Sequence, residues 1–181
     1  NELSVLGPDV SSLVYSAWAI VGTEGNDYLV GSAAMDLLQG LGGNDTLTGN
    51  AGNDILDGNN GNDALYGNDG ADVLYGGTGD DQLYGGAGVD QYYFGRGDGK
   101  DTIYEDYLDD TLINIGDLTL EELVFNRSGA DLVVTFQTSA ADKIVLTEFF
   151  KNGEPQSALI LKKNDGTTQR VNATALVQAA L

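Results

Sequence analysis

Gly76-Gly77-Thr78-Gly79-Asp80-Asp81-Gln82-Leu83-Tyr84, followed at once by Gly85-Gly86-Ala87-Gly88-Val89-Asp90-Gln91-Tyr92-Tyr93, is one nine-residue unit written twice. Its closing aspartate recurs at that interval on both sides: Asp27, Asp36, Asp45, Asp54, Asp63, Asp72, Asp81 and Asp90. A glycine keeps the same beat five residues earlier, from Gly22 to Gly85, and a large apolar or aromatic residue follows each aspartate by two, from Leu29 through Leu38 to Leu83 and Tyr92. Self-similarity at a fixed short period marks a solenoid, because one unit cannot bury its apolar residue alone and stacked units can.

Each unit reads as a six-residue loop closed by aspartate, then a three-residue strand whose middle side chain points inward. Successive loops fall on alternate sides, so two units make one coil and neighbouring coils stack at about 4.8 Å, the strand spacing. The second loop position is Asn50, Asn59, Asn68, Gly77 and Gly86, the residue types that best tolerate a left-handed backbone. A ninth unit with two extra residues, Gly97-Asp98-Gly99-Lys100-Asp101-Thr102-Ile103, ends the pattern. The expected fold is all-β: a right-handed parallel β-roll, or β-solenoid, over residues 21–103, with a capping or linker segment at 1–20 and a small α+β cap at 104–181.

Within the cap, Thr119-Leu120-Glu121-Glu122 has capping-box spacing for a short helical turn. Leu123 to Phe125 and Leu132 to Phe136 read as strands around a turn at Ser128-Gly129-Ala130, Lys143 to Leu146 as another strand, and Leu159 to Lys162 with Thr168 to Val171 as a hairpin through Asn164-Asp165-Gly166. Residues 173–181 read as a terminal helix. A roll needs such a cap, since its last rung otherwise leaves an open apolar end and an unpaired strand edge.

Composition narrows the chemistry. With 28 acidic against 8 basic residues the formal charge is −20, which argues against nucleic acid or an anionic membrane as a partner and for a cation. Cysteine and histidine are both absent, which removes disulfides, thiolate sites and most zinc chemistry. Stacked loops set Asp27, Asp45, Asp63 and Asp81 in one column, with Asp101 beyond, and Asp36, Asp54, Asp72 and Asp90 in the other. Two carboxylates about 5 Å apart repel by about 3 kcal/mol at an effective dielectric of 20. Calcium relieves this, because it takes six to eight oxygens at about 2.3–2.6 Å and accepts a mixture of carboxylates and backbone carbonyls. Several ions, each bridging two loops of a column, would make folding and metal binding one equilibrium.

These residues resemble the repeat-in-toxin (RTX) family, whose nonapeptide is G-G-x-G-x-D-x-U-x. The segment from Phe94-Gly95-Arg96-Gly97-Asp98-Gly99 through Phe125-Asn126-Arg127-Ser128-Gly129-Ala130-Asp131-Leu132 is similar to the cap after the last repeat block of adenylate cyclase toxins and other type I-secreted bacterial proteins. The resemblance implies a secreted, extracellular or cell-surface chain that passes a type I secretion machine unfolded and folds on calcium outside the cell. It implies as ligands the loop-closing aspartates, Asp98 at the last site, and loop carbonyls that include Gly25, Gly43, Gly52, Gly61, Gly70, Gly79 and Gly88. Ala34 in place of the fourth-position glycine ranks Asp36 lowest among the aspartates, and repeat three departs at Leu41.

The first residues read as the end of something longer, so the expectation is a monomeric C-terminal module of a larger protein, without membrane insertion and without catalysis of its own. Two other readings stand beside it: an adhesion, ice- or glycan-binding roll, and a substrate-binding module appended to a polysaccharide-modifying enzyme. Against lattice matching, the seventh repeat position is mixed: Tyr28, Leu37, Thr46, Ile55, Ala64, Val73, Gln82 and Gln91. Tyr66, Tyr75, Tyr84 and Tyr93 keep the nine-residue beat; cross-rung packing explains them more simply than a ligand does.

Overall fold

The computed structural model describes residues 19–104, 111–116, 118–151, 154–155 and 159–171. Strands, numbered in chain order, alternate between two sheets. The first holds β1 (Ala19–Val21), β3 (Leu37–Gly42), β5 (Ile55–Asn60), β7 (Val73–Thr78) and β9 (Gln91–Tyr93). The second holds β2 (Tyr28–Val30), β4 (Thr46–Ala51), β6 (Ala64–Asp69), β8 (Gln82–Ala87) and β10 (Lys100–Tyr104). All pairs among these ten are parallel, with Leu38 opposite Leu56 and Leu47 opposite Leu65, one coil apart. The repeats therefore form the expected parallel β-roll. The last register steps by two more residues, setting Ile103 opposite Leu83, which absorbs the insertion in the ninth unit.

The period of the sequence is the period of the core. Leu38, Leu56 and Leu74 from one sheet and Leu47, Leu65 and Leu83 from the other are fully buried, each contributing about 1.5–3 kcal/mol relative to exposure. Strands β3 to β8 are six residues long rather than three. Pairing resumes inside the loops, with Leu41 opposite Asn59 and Gly42 opposite Asn60, because the second loop position turns the chain through a positive φ. That φ is 81° at Leu41, 78° at Asn50, 72° at Asn59 and 75° at Asn68.

Both sheets run on through the cap. β11 (Thr111–Asn114), β17 (Leu159–Lys162) and β18 (Thr168–Val171) extend the first, and β14 (Ser139–Leu146), β13 (Asp131–Phe136) and β12 (Leu123–Ser128) extend the second. β14 is the last parallel partner of the second sheet, on β10, and β13 and β12 follow it antiparallel. A 3-10 turn at Leu120–Glu122 sits where the capping box predicts, with Thr119 donating from its amide and hydroxyl to Glu122 Oε2 at 2.8 and 2.9 Å. β15 (Phe150–Lys151) and β16 (Glu154–Pro155) make a small separate pair. Apolar side chains of roll and cap join in one core, with Phe94 stacked on Phe136 at 5.4 Å. The expected terminal helix at 173–181 and most of the N-terminal segment lie outside the described residues.

Candidate metal centre

The stacked loops bring the aspartates into the two expected columns and fix each by the same contact. One carboxylate oxygen accepts the backbone N–H of the aspartate one coil earlier: Asp27 donates to Asp45 at 2.8 Å, Asp45 to Asp63 at 2.7 Å, Asp63 to Asp81 at 2.8 Å and Asp81 to Asp101 at 3.0 Å. In the other column Asp36 donates to Asp54, Asp54 to Asp72 and Asp72 to Asp90, at 2.7 to 2.8 Å. Ladder amides that a loop would leave unpaired are thereby satisfied.

The second oxygen divides the loops into two kinds. In Asp45, Asp54, Asp63, Asp72, Asp81 and Asp101 it is buried with no hydrogen-bond partner. In Asp45, Asp54, Asp63, Asp72 and Asp81 it lies over the first residue of its own loop, so a Cβ at Gly58 would fall on Asp63 Oδ2 and come within 2.6 Å of the Gly76 carbonyl oxygen. Fourth-position glycines are equally confined: Gly61 has φ +135° and its absent Cβ would collide with the Gly43 carbonyl. Gly43, Gly52, Gly70, Gly79 and Gly88 share that positive φ.

Burial without a partner is costly to an ionised carboxylate. Desolvation, reinforced by the neighbouring aspartates and opposed by the amide hydrogen bond, raises Asp54, Asp63 and Asp72 from 3.8 to about 6. Desolvation raises Asp81 as well, and desolvation together with the Asp81 charge raises Asp101 further.

The first two loops are closed differently. Thr23 donates its amide (2.6 Å) and hydroxyl (2.9 Å) to Asp27 Oδ2 and accepts the Gly25 amide at 3.2 Å. Ser32 repeats the pattern on Asp36, at 2.5 and 2.9 Å, and accepts from Ala34 at 3.2 Å. Neither Thr23 nor Gly25 has a positive φ. Asp98 is also engaged within its loop, accepting the Gly95 amide at 2.6 Å, and burial raises its pKa.

Two ties between the last loop and the cap carried no signal in the repeat pattern. Asp142, buried on β14, accepts the Gly97 amide at 3.0 Å, and Arg96 donates to Glu122 and Thr138 at 2.5 and 2.6 Å. They tie the last loop to β12–β14. The carboxylate column itself stops where Ile144 of β14 takes the rung opposite Asp101.

Unpaired buried carboxylate oxygens in columns, with glycine loops leaving room around them, suit a hard divalent cation. Among the described residues no three acidic or histidine side chains converge as a ready-made metal cluster. A cation here would therefore draw much of its shell from loop carbonyls, which fits calcium better than magnesium with its strict octahedron and retained waters. Nothing in the columns resembles a nucleophile beside a base.

Residues 19–34, 30–65 and 66–101 match the family profile of the RTX calcium-binding nonapeptide repeat. Such repeats bind calcium and occur in secreted bacterial proteins. A search of curated proteins gives no significant match. Among solved structures, the solution structure of the AlgE6R2 subunit from the Azotobacter vinelandii mannuronan C5-epimerase is similar at 24% identity and a TM-score of 0.46, covering 74% of this chain and 86% of that one. A likeness at that level bears on neither ligand nor activity here.

Proposed function

We propose, from the premise that residues 19–101 are RTX calcium-binding nonapeptide repeats, that this chain is the calcium-driven folding module of a secreted bacterial protein. The observation that carries the reading is the set of buried, unpartnered Oδ2 atoms on Asp45, Asp54, Asp63, Asp72, Asp81 and Asp101. These oxygens, Asp90 at the end of the Asp54 and Asp72 column, and carbonyls of loops containing Gly43, Gly52, Gly61, Gly70, Gly79 and Gly88 would hold several calcium ions, each between two loops. Bound calcium supplies the positive charge that lets these carboxylates stay ionised while buried. Asp27, Asp36 and Asp98 spend Oδ2 on their own loops, so they and Gly25 bind weakly or serve by hydrogen bonding alone.

Coupling of folding to calcium gives the module its use. At low cytosolic calcium the repelling columns keep the chain extended and fit for a type I secretion channel. Outside the cell, calcium closes the roll from residue 21 to 103, and the cap from 104 onward seals its end through Asp142, Ile144 and the Glu122 and Thr138 contacts to Arg96 of the roll. The parent protein gains a stable folded module and a one-way step. Equilibrium dialysis against calcium tests the assignment of ligands: several ions per chain, with magnesium failing to displace them, is the expected result. One ion or none per chain would overturn it.

A further inference from the structure

Asp57 is an aspartate outside the nine-residue beat. It stands three residues after Asp54, at the repeat position held elsewhere by Gln39, Thr48, Tyr66, Tyr75, Tyr84 and Tyr93, and it is only 7% exposed. Calcium columns give it no use. Pairing in the first sheet sets Asp57, Tyr75, Tyr93 and Asn114 on four successive rungs, a run of about 14 Å at the ordinary strand spacing.

These four residues line a groove of about 440 Å³ together with Asn59, Thr78 and neighbouring backbone, within the 300–1,000 Å³ range of small-ligand sites. Tyr75 and Tyr93 stack at 4.3 Å in its middle. At one end stands the Asp57 carboxylate, with the Gln39 and Asn59 side chains beside it and Asn59 Nδ2 donating to the Asp57 backbone carbonyl at 3.3 Å. At the other, Asn114 is 5% exposed and its Nδ2 has no hydrogen-bond partner. A buried amide donor left unpaired is costly, and a ligand oxygen reached by a small rotation of the Asn114 side chain relieves that cost.

We propose that this groove is a binding subsite for a neutral saccharide. A sugar ring has an apolar C–H face that lies along the outer edges of the mutually stacked tyrosine pair, and hydroxyls at its rim that both donate to Asp57 and accept from Asn114. Among the described residues no lysine or arginine lines the groove, and Asp57 and Asp98 do, so an anionic sugar is repelled within a chain that already carries −20. The corresponding column of the second sheet is different in kind. Tyr66, Tyr84 and Tyr104 stack at 4.6 and 4.3 Å with Thr48 before them, and they offer aromatic rungs without an acid or an amide at the ends.

The test is titration calorimetry of the calcium-loaded full chain with cellohexaose, mannohexaose and maltohexaose, and with a mannuronate hexasaccharide as the anionic comparator. One neutral hexasaccharide is expected to bind at a single site. Asp57→Asn and Asn114→Ala should each weaken it at least tenfold, while Tyr84→Ala leaves it unchanged; circular dichroism in calcium checks that each variant is folded. Asp57→Asn is nearly isosteric and serves if Asn114→Ala fails to fold. Failure of all three neutral sugars to bind, binding of the anionic oligomer alone, or binding that survives Asp57→Asn would each overturn the proposal.

Discussion

Two loops at the start of the roll and the loops that follow them carry the same closing aspartate and dispose of its second oxygen in opposite ways. In the loops ending at Asp27 and Asp36 a hydroxyl residue at the second position folds back and satisfies it. In the loops ending at Asp45, Asp54, Asp63, Asp72 and Asp81 the second residue turns through a positive φ and the oxygen is left bare. A repeat can thus close on hydrogen bonds or on an ion, and the choice rests on a side chain four residues before the aspartate. Loops of the first kind fold without metal at little cost; those of the second carry a buried charge that only protonation or a cation relieves.

Breaking one aspartate of each kind gives the largest contrast. Asp63→Ala removes a ligand oxygen from mid-column and strands the Asp45 amide, which alone costs about 1–3 kcal/mol; the calcium needed for half-folding should rise several-fold and the bound stoichiometry should fall. Asp27→Ala should leave stoichiometry unchanged. Calorimetric calcium titration of the two variants reads both numbers, and equal losses would erase the distinction.

Acid tests the loops with bare oxygens next. The folded pKa values of Asp54, Asp63 and Asp72, about 6, lie above the ordinary 3.8, and burial raises Asp81 in the same direction. The metal-free roll therefore binds more protons than the unfolded chain, and its stability falls as pH rises from about 4 through these values. In chelator, lowering the pH from 8 to 5 should increase β-structure measured by circular dichroism. With calcium present, protons compete for the same oxygens, so the calcium midpoint should rise below pH 6 when expressed per folded chain. A metal-free signal independent of pH would mean the carboxylates are not buried as described.

Glycine exchange is the smallest of the three effects and tests loop geometry alone. Gly61→Ala forces a Cβ into the Gly43 carbonyl at φ +135°, a strain of about 1–3 kcal/mol. Gly25→Ala meets only Thr23 Oγ1 at 3.7 Å and should change stability within about 0.5 kcal/mol. Thermal melts in saturating calcium would show it.

Much of this was legible in the residues because a nine-residue period states the stacking register directly. Asp, Gly and Leu at fixed offsets predict the two columns and the leucine ladder, and the turn chemistry of Asn164-Asp165-Gly166 places the final hairpin at its observed bounds. Loop closure by Thr23 and Ser32 was less readable, since a hydroxyl there looks like one more tolerated small residue until its hydrogen bonds are seen. Repeat alignment does expose Asp57, as an acid in a column of tyrosines. Asp142 and the joining of β14 to β10 carry no such mark, because beyond Tyr104 the partners are set by tertiary contact and not by period. The six-residue strands were missed for a local reason: a positive φ in the loop restores pairing where the residue types suggest a break.

Far-ultraviolet circular dichroism during a calcium titration, from fully chelated chain to about 10 mM, spans even weak extracellular sites and tests the coupling of folding to metal most directly. The account predicts a cooperative disorder-to-β transition at pH 7.5, reversed by chelator and not reproduced by magnesium. A chain already fully β-structured in chelator at that pH, and indifferent to added calcium, would contradict it.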